Sequence, residues 1–100
     1  MLDYLKLLKK DIEVTICGDS MWPTLYAGEN VKLKNLASYN NLKVGNIILF
    51  YSNKYKSYVL HRIIKKIYLI DGQVYYVTKG DNNLIEDEYL VRTEDIRGVL

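Results

Sequence analysis

Tyr58-Val59-Leu60-His61-Arg62-Ile63-Ile64 is followed by Lys66-Ile67-Tyr68-Leu69-Ile70, then Asp71-Gly72, then Gln73-Val74-Tyr75-Tyr76-Val77-Thr78. β-branched and aromatic residues dominate all three runs and suit a pleated, half-buried surface. Asp-Gly between two such runs is a strong short-range hairpin signal. The Lys65-Lys66 pair reads as the solvated end of the first strand. Working outward, Glu13-Val14-Thr15-Ile16-Cys17, Asn30-Val31-Lys32-Leu33 and Asn46-Ile47-Ile48-Leu49-Phe50 have the same character, with breaks at Asn40-Asn41, Ser52-Asn53 and Asn82-Asn83. Short β-rich runs punctuated by turn residues predict a mostly β, mainly antiparallel domain. Ahead of them, Leu2, Leu5, Leu8 and Ile12 recur at three- and four-residue spacing. That periodicity predicts a short amphipathic helix, which would pack on the domain or on a second subunit. The expected organisation is one domain over residues 1–100, with the helix over 1–12 and the β-domain over 13–100.

Composition narrows the function. One hundred residues make a single small domain. A net charge of +2 with scattered basic residues gives no basis for nucleic-acid binding. One cysteine, Cys17, cannot close an internal disulfide and reads as a small apolar strand residue. A membrane-spanning helix needs roughly twenty mostly apolar residues, and the longest uncharged run, Val44 to Asn53, is about half of that. The first ten residues carry Asp3, Lys6, Lys9 and Lys10 and lack a secretory apolar core. The expected setting is cytoplasmic, with membrane contact at most peripheral. Ten tyrosines are many for this length. Most should be cross-strand packing with the hydroxyl at the rim, with Tyr26 or Tyr51 as possible cleft residues.

The chemistry is concentrated in Gly18-Asp19-Ser20-Met21-Trp22-Pro23-Thr24-Leu25. Proline fixes its own φ and turns the preceding residue away from the helical region. Met21 and Pro23 thus predict a rigid, extended path after Ser20. A serine hydroxyl needs a base within hydrogen-bond reach to become a nucleophile, and His61 is the only histidine in the chain. A carboxylate behind the imidazole would fix its tautomer and stabilise the imidazolium. Asp81 and Asp87, in and after Thr78-Lys79-Gly80-Asp81-Asn82-Asn83, are the two choices. No metal or other cofactor is expected.

These boxes, together with Ala27-Gly28-Glu29-Asn30-Val31 and Val44-Gly45-Asn46-Ile47-Ile48-Leu49-Phe50, resemble type I signal peptidases of the endoplasmic-reticulum and archaeal type. There a histidine replaces the lysine base of most bacterial signal peptidases and of LexA-like repressors. The resemblance runs from about Val14 to Val99. It implies a fold of coiled antiparallel sheets around a barrel-like core, and a serine endopeptidase that cuts extended peptides after small residues. It also implies Ser20 as nucleophile and His61 as base. In the related enzymes the essential acid lies six positions after the Gly-Asp aspartate, which lands on Asp87 and leaves Asp81 a supporting role in the turn. Arg62 and Lys79 are then structural or electrostatic rather than chemical. The oxyanion hole would use the Ser20 N–H; where relatives add a hydroxyl two residues earlier, this chain has Gly18. The N-terminal membrane helix usual in the family is missing from these residues, so the implied substrates are precursor or leader peptides in the cytoplasm or presented by a membrane partner. Oligomerisation is conceivable through the N-terminal helix or the C-terminal edge. Two alternatives stand beside this reading. One is LexA-like self-cleavage, opposed by the 19 residues before Ser20 and by the histidine base. The other is a module that binds extended peptides without cutting them.

Overall fold

The β-rich runs of the sequence pair antiparallel throughout the described residues. The computed structural model describes residues 11–100, so the expected N-terminal helix lies outside the described residues apart from its last two positions. Ile12 belongs instead to the first strand. The strands are β1 (Ile12–Thr15), β2 (Asn30–Leu33), β3 (Ile47–Ser52), β4 (Ser57–Tyr68), β5 (Val74–Lys79), β6 (Leu90–Arg92) and β7 (Ile96–Val99), with one 3-10 turn at Thr93–Asp95. They form a two-stranded ribbon, β1-β2, and a five-stranded sheet in the order β6-β5-β4-β3-β7.

The two sheets are joined. Lys34 and Val99 exchange both backbone hydrogen bonds, at 2.7 and 3.0 Å, so the ribbon continues from the β7 edge. The C-terminal edge considered for subunit pairing is bonded to Lys34 at this point. The whole is a curled antiparallel sheet, a half-barrel. Two register shifts accompany the curl: Ile64 is the extra residue between Ile63 and Lys65 on β4, and Arg97 is the extra residue on β7 opposite Leu49/Phe50. A bulge of this kind bends the strand and increases its twist.

The predicted hairpin is present but wider than the Asp-Gly pair suggested. Gly72 N–H donates to Leu69 C=O and Leu69 N–H to Gln73 C=O, leaving Ile70, Asp71 and Gly72 as the loop. The two strand runs preceding it are one 12-residue strand. Lys65-Lys66 therefore ends nothing; it follows the bulge in mid-strand, where pairing to β5 resumes at Val77 and Tyr76.

Burial separates into two clusters. Ile48, Phe50, Ile63, Tyr76, Val91, Ile96, Val99 and Leu42 form the main core. Met21, Leu25 and Ile47 form a second, with Ile16, Val31 and Leu60 against it. The second cluster matters for the site, because Met21 and Leu25 belong to the β1–β2 loop and pin it to the large sheet. Tyr76 is fully buried and satisfies its hydroxyl by donating to Tyr39 C=O at 2.6 Å while accepting from Leu42 N–H at 3.3 Å.

Candidate active site

Ser20 lies in the long loop between β1 and β2, and backbone bonds close the base of that loop. Ile16 N–H donates to Glu29 C=O and Gly28 N–H to Ile16 C=O, both at 2.8 Å. The path after Ser20 is a set of turns and not the extended run expected from Met21 and Pro23. Trp22 N–H reaches Asp19 C=O at 3.1 Å and Leu25 N–H reaches Met21 C=O at 2.9 Å. The burial of Met21 and Leu25 draws the chain inward, which an extended path would prevent. Rigidity thus comes from two buried anchors and the closed base, with Pro23 on the exposed outer side.

The β5–β6 loop clasps this segment from the other side. Asn82 N–H donates to Ser20 C=O at 2.8 Å and Asn82 Nδ2 to Asp19 C=O at 3.1 Å. Asp81 N–H points to Met21 Sδ at 3.4 Å. The approach is close enough to require glycine: a Cβ on Gly80 would lie 2.7 Å from the Ser20 carbonyl oxygen. Lys79 holds the turn itself, donating to the carbonyls of Gly80 at 2.9 Å and Asn83 at 2.6 Å.

His61 stands on β4, buried to 7% exposure, its ring edge-on to Phe50 with centroids 6.5 Å apart. Its Nε2 is 3.1 Å from Ser20 Oγ and its Nδ1 is 2.7 Å from Asp87 Oδ2. With Asp87 ionised, Nδ1–H donates to the carboxylate and Nε2 is left to accept the serine proton. The same Asp87 oxygen accepts a second bond, from the Thr78 hydroxyl at 2.7 Å, and Asp87 N–H returns to Thr78 C=O at 2.8 Å. Thr78 is fully buried. The polar chain Thr78–Asp87–His61–Ser20 therefore leaves the core and ends at a half-exposed hydroxyl.

Asp81 does not touch His61. Its carboxylate receives Arg62 Nε at 2.9 Å and Nη2 at 2.8 Å, a bidentate pair, and also the Thr24 hydroxyl. The Arg62 guanidinium holds the Asp81 carboxyl down at about 2, and the same pairing raises Arg62. Arg62 also donates to Gly45 C=O at 2.8 Å. This network joins the β5–β6 loop, β4 and the serine loop through Thr24.

Ser20, Met21, His61 and Asp87 line one cleft of about 710 Å³, walled by Val14 from β1, by Ile16 just after it and by Leu49 and Leu60 from the large sheet. Its volume lies within the roughly 300–1,000 Å³ of ordinary ligand sites. The cleft tyrosines are Tyr55 and Tyr58. Tyr51 instead packs edge-on against Tyr58 at 5.3 Å, and Tyr26 is exposed on the serine loop. Cys17 is exposed and free on the cleft wall, just past the end of β1, and not a buried strand residue. Gly18 adopts φ +82° with open space where a Cβ would lie. A hydroxyl-bearing residue would fit by volume there but would be strained in its backbone. Among the described residues, Ser20 N–H is paired with no acceptor. Among them too, no three His, Cys, Asp or Glu side chains converge as metal ligands, and no helix is long and apolar enough to cross a membrane.

The sequence reading gave Thr78 and Thr24 no role. Thr78 stood out only as a hydroxyl ending the apolar run Val74 to Val77, and nothing local distinguishes Thr24.

No protein-family model matches the chain. Individual proteins do. The signal peptidase complex catalytic subunit SEC11 of Eremothecium gossypii is 30% identical over 95 residues, covering 87% of this chain and 56% of its own length. The SEC11 subunit of Debaryomyces hansenii is 32% identical over 75 residues, with 74% and 43% covered. The human subunit SEC11C is 29% identical over 79 residues, with 79% and 41% covered. The chain resembles signal peptidase catalytic subunits. It spans about half the length of these relatives.

Proposed function

We infer that this chain is a signal peptidase-like serine endopeptidase domain of the histidine type, with Ser20 as nucleophile, His61 as general base and Asp87 as the orienting acid. The observation that carries the reading is the Ser20 Oγ–His61 Nε2–Asp87 Oδ2 alignment, at 3.1 and 2.7 Å, inside an apolar cleft. The likeness to SEC11 catalytic subunits supports the same reaction class.

The proposed steps use this geometry. An extended peptide lies in the cleft beside β1, where backbone hydrogen bonds hold it and small side pockets select residues. Ser20 Oγ attacks the scissile carbonyl carbon while His61 Nε2 takes its proton. Asp87 keeps the imidazole in the accepting tautomer and stabilises the imidazolium. The carbonyl oxygen, now negative, accepts from the unpaired Ser20 N–H. His61 then returns the proton to the leaving amine, and water repeats the sequence on the acyl-enzyme. Gly18 supplies no second donor, which lowers the rate relative to an enzyme that has one. The proposed specificity for small residues at the cut comes from the resemblance. The proposed setting, cytoplasmic or membrane-peripheral, does not come from it. Assembly through the N-terminal segment belongs to the same proposal.

The missing donor at Gly18 favours one second reading, a module that binds extended peptides with little or no turnover. One experiment separates the two. A mixed peptide library is incubated with wild type, Ser20→Ala and His61→Ala, and products are read by mass spectrometry. Cuts that vanish in both variants are expected. An intact library with wild type, alongside peptide binding that Ser20→Ala leaves unchanged, would establish the binding module instead.

A further inference from the structure

We propose that Arg97 makes this cleft selective for peptides carrying an acidic side chain a few residues from the scissile bond. The inference rests on reading the cleft as the peptide site and names a substrate feature for it.

Three observations converge on Arg97. The chain has three arginines, and two of them are already held by carboxylates: Arg62 by Asp81 and Arg92 by Asp95 and Glu94. Arg97 has no carboxylate partner among the described residues. Its Nη1 donates to the backbone carbonyls of Glu94 at 2.8 Å and Ile96 at 3.3 Å, which fix the guanidinium in place while Nε and Nη2 stay unpaired.

Second, Arg97 is the extra residue of the β7 bulge, with no partner on β3. Bulges re-aim a side chain relative to the regular alternation of a strand and occur preferentially beside active sites. Here Ile96 remains in the core while the next residue faces the cleft. Third, among the described residues lining the cleft, Arg97 is the only Lys or Arg, and the one carboxylate there, Asp87, is already engaged by His61 and Thr78. The remaining walls are largely apolar. A planar guanidinium with two free donors at the end of such a cleft fits a carboxylate.

The register sets the position along the substrate. His61 lies opposite Ile48 and Ile48 opposite Val99. Arg97 is therefore about 10 Å across the sheet from the His61 level, at about 4.8 Å per strand, and two residues further along. An extended peptide rises about 3.3 Å per residue, which places the favoured carboxylate about three to five residues from the bond held at Ser20.

The test measures binding first, with the Ser20→Ala protein and a positional library of fluorescent alanine-rich decapeptides carrying a single Glu, Gln or Lys. Glu peptides should bind about fivefold tighter than Gln peptides at one or two adjacent positions, the scale of one partly exposed ion pair. Arg97→Gln should erase that preference, and Arg97→Glu should transfer it to Lys, a gain that a misfolded protein could not show. The preference should shrink as salt rises. Equal binding of Glu and Gln peptides at every position, or a Glu preference that survives Arg97→Gln, overturns the proposal. Cleavage is then measured separately with Ser20 intact. A charge preference without Ser20-dependent cutting would remove the peptidase reading and leave this one standing. Cutting with no charge preference would do the reverse.

Discussion

Asp81 and Asp87 come from the same β5–β6 connection, each meets one of two neighbouring residues on β4 and each accepts a threonine hydroxyl, yet their main partners differ in kind. Asp87 is about 10% exposed and faces His61, a group that can gain and lose a proton. Asp81 is more open, at 17%, and faces Arg62, which stays charged. On β4 His61 lines the cleft, while its neighbour Arg62 joins the fastening network that reaches the serine loop through Thr24. The contrast teaches how a small domain assigns roles to similar acids. A carboxylate paired with a permanent cation fastens elements together, whereas in the proposed mechanism one paired with a titratable ring orients it for proton transfer.

The comparison breaks most sharply at Asp87. Asp87→Asn replaces an acceptor-only group by one that can present N–H to Nδ1, favouring the wrong tautomer of His61. The expected loss in kcat is about 10³- to 10⁴-fold, with thermal stability little changed. Asp81→Asn should leave most of kcat in place. If the two variants lose activity equally, the division of roles between the acids is wrong.

Gly80→Ala tests the loop both acids share. Its added Cβ would meet the Ser20 carbonyl at 2.7 Å, and backbone cannot yield as a flexible side chain can. Displacing Ser20 relative to His61 by a fraction of an ångström to an ångström should lower kcat about 100-fold. A crystal structure of the variant would show the shift. Full activity would mean that the clasp does not position the nucleophile.

Asp81→Asn sharpens the other half of the comparison, through stability. The Asp81 carboxyl sits at about 2, below its ordinary 3.8. A depressed folded-state value contributes stability that is present above the ordinary pKa and lost as pH falls through the lowered one. The window is therefore about pH 4 down to pH 2, and the difference corresponds to roughly 2 kcal/mol. Urea unfolding of wild type should weaken across that window, and Asp81→Asn should flatten the change while lowering stability at pH 7. A variant with the wild-type pH dependence would show that Arg62 and Thr24 do not hold this carboxylate.

Much of this architecture was legible from the chain, for physical reasons that also mark the gaps. Asp71-Gly72, the asparagine breaks and the β-branched runs gave β4, β5 and their turn, because they are local signals. The bulge at Ile64 was not legible and made one strand look like two, since it depends on pairing with β5. Leu90–Arg92 is too short to carry a period of two. Spacing left Asp81 and Asp87 both open, and the fold brings only Asp87 within reach of His61. The resemblance named the serine and histidine boxes, whereas Thr78, Thr24 and the cleft face of Cys17 depend on contacts far along the sequence. The extended path expected after Ser20 failed because the burial of Met21 and Leu25 overrode a local proline preference.

The finest distinction lies behind Asp87. Its Oδ2 accepts from both His61 and Thr78, so Thr78 acts on the site only through the carboxylate and is a positioning residue. Thr78→Val keeps the shape of a fully buried side chain and removes one donor to a charged acceptor. Such bonds contribute about 1.5–3 kcal/mol in general, but the His61 bond remains, so the expected loss in kcat is about tenfold, with KM unchanged. Thr78→Ser restores the hydroxyl with one methyl fewer and should recover the rate. If Thr78→Ser is as impaired as Thr78→Val, packing is what Thr78 provides, and its hydrogen bond to Asp87 is not needed for catalysis.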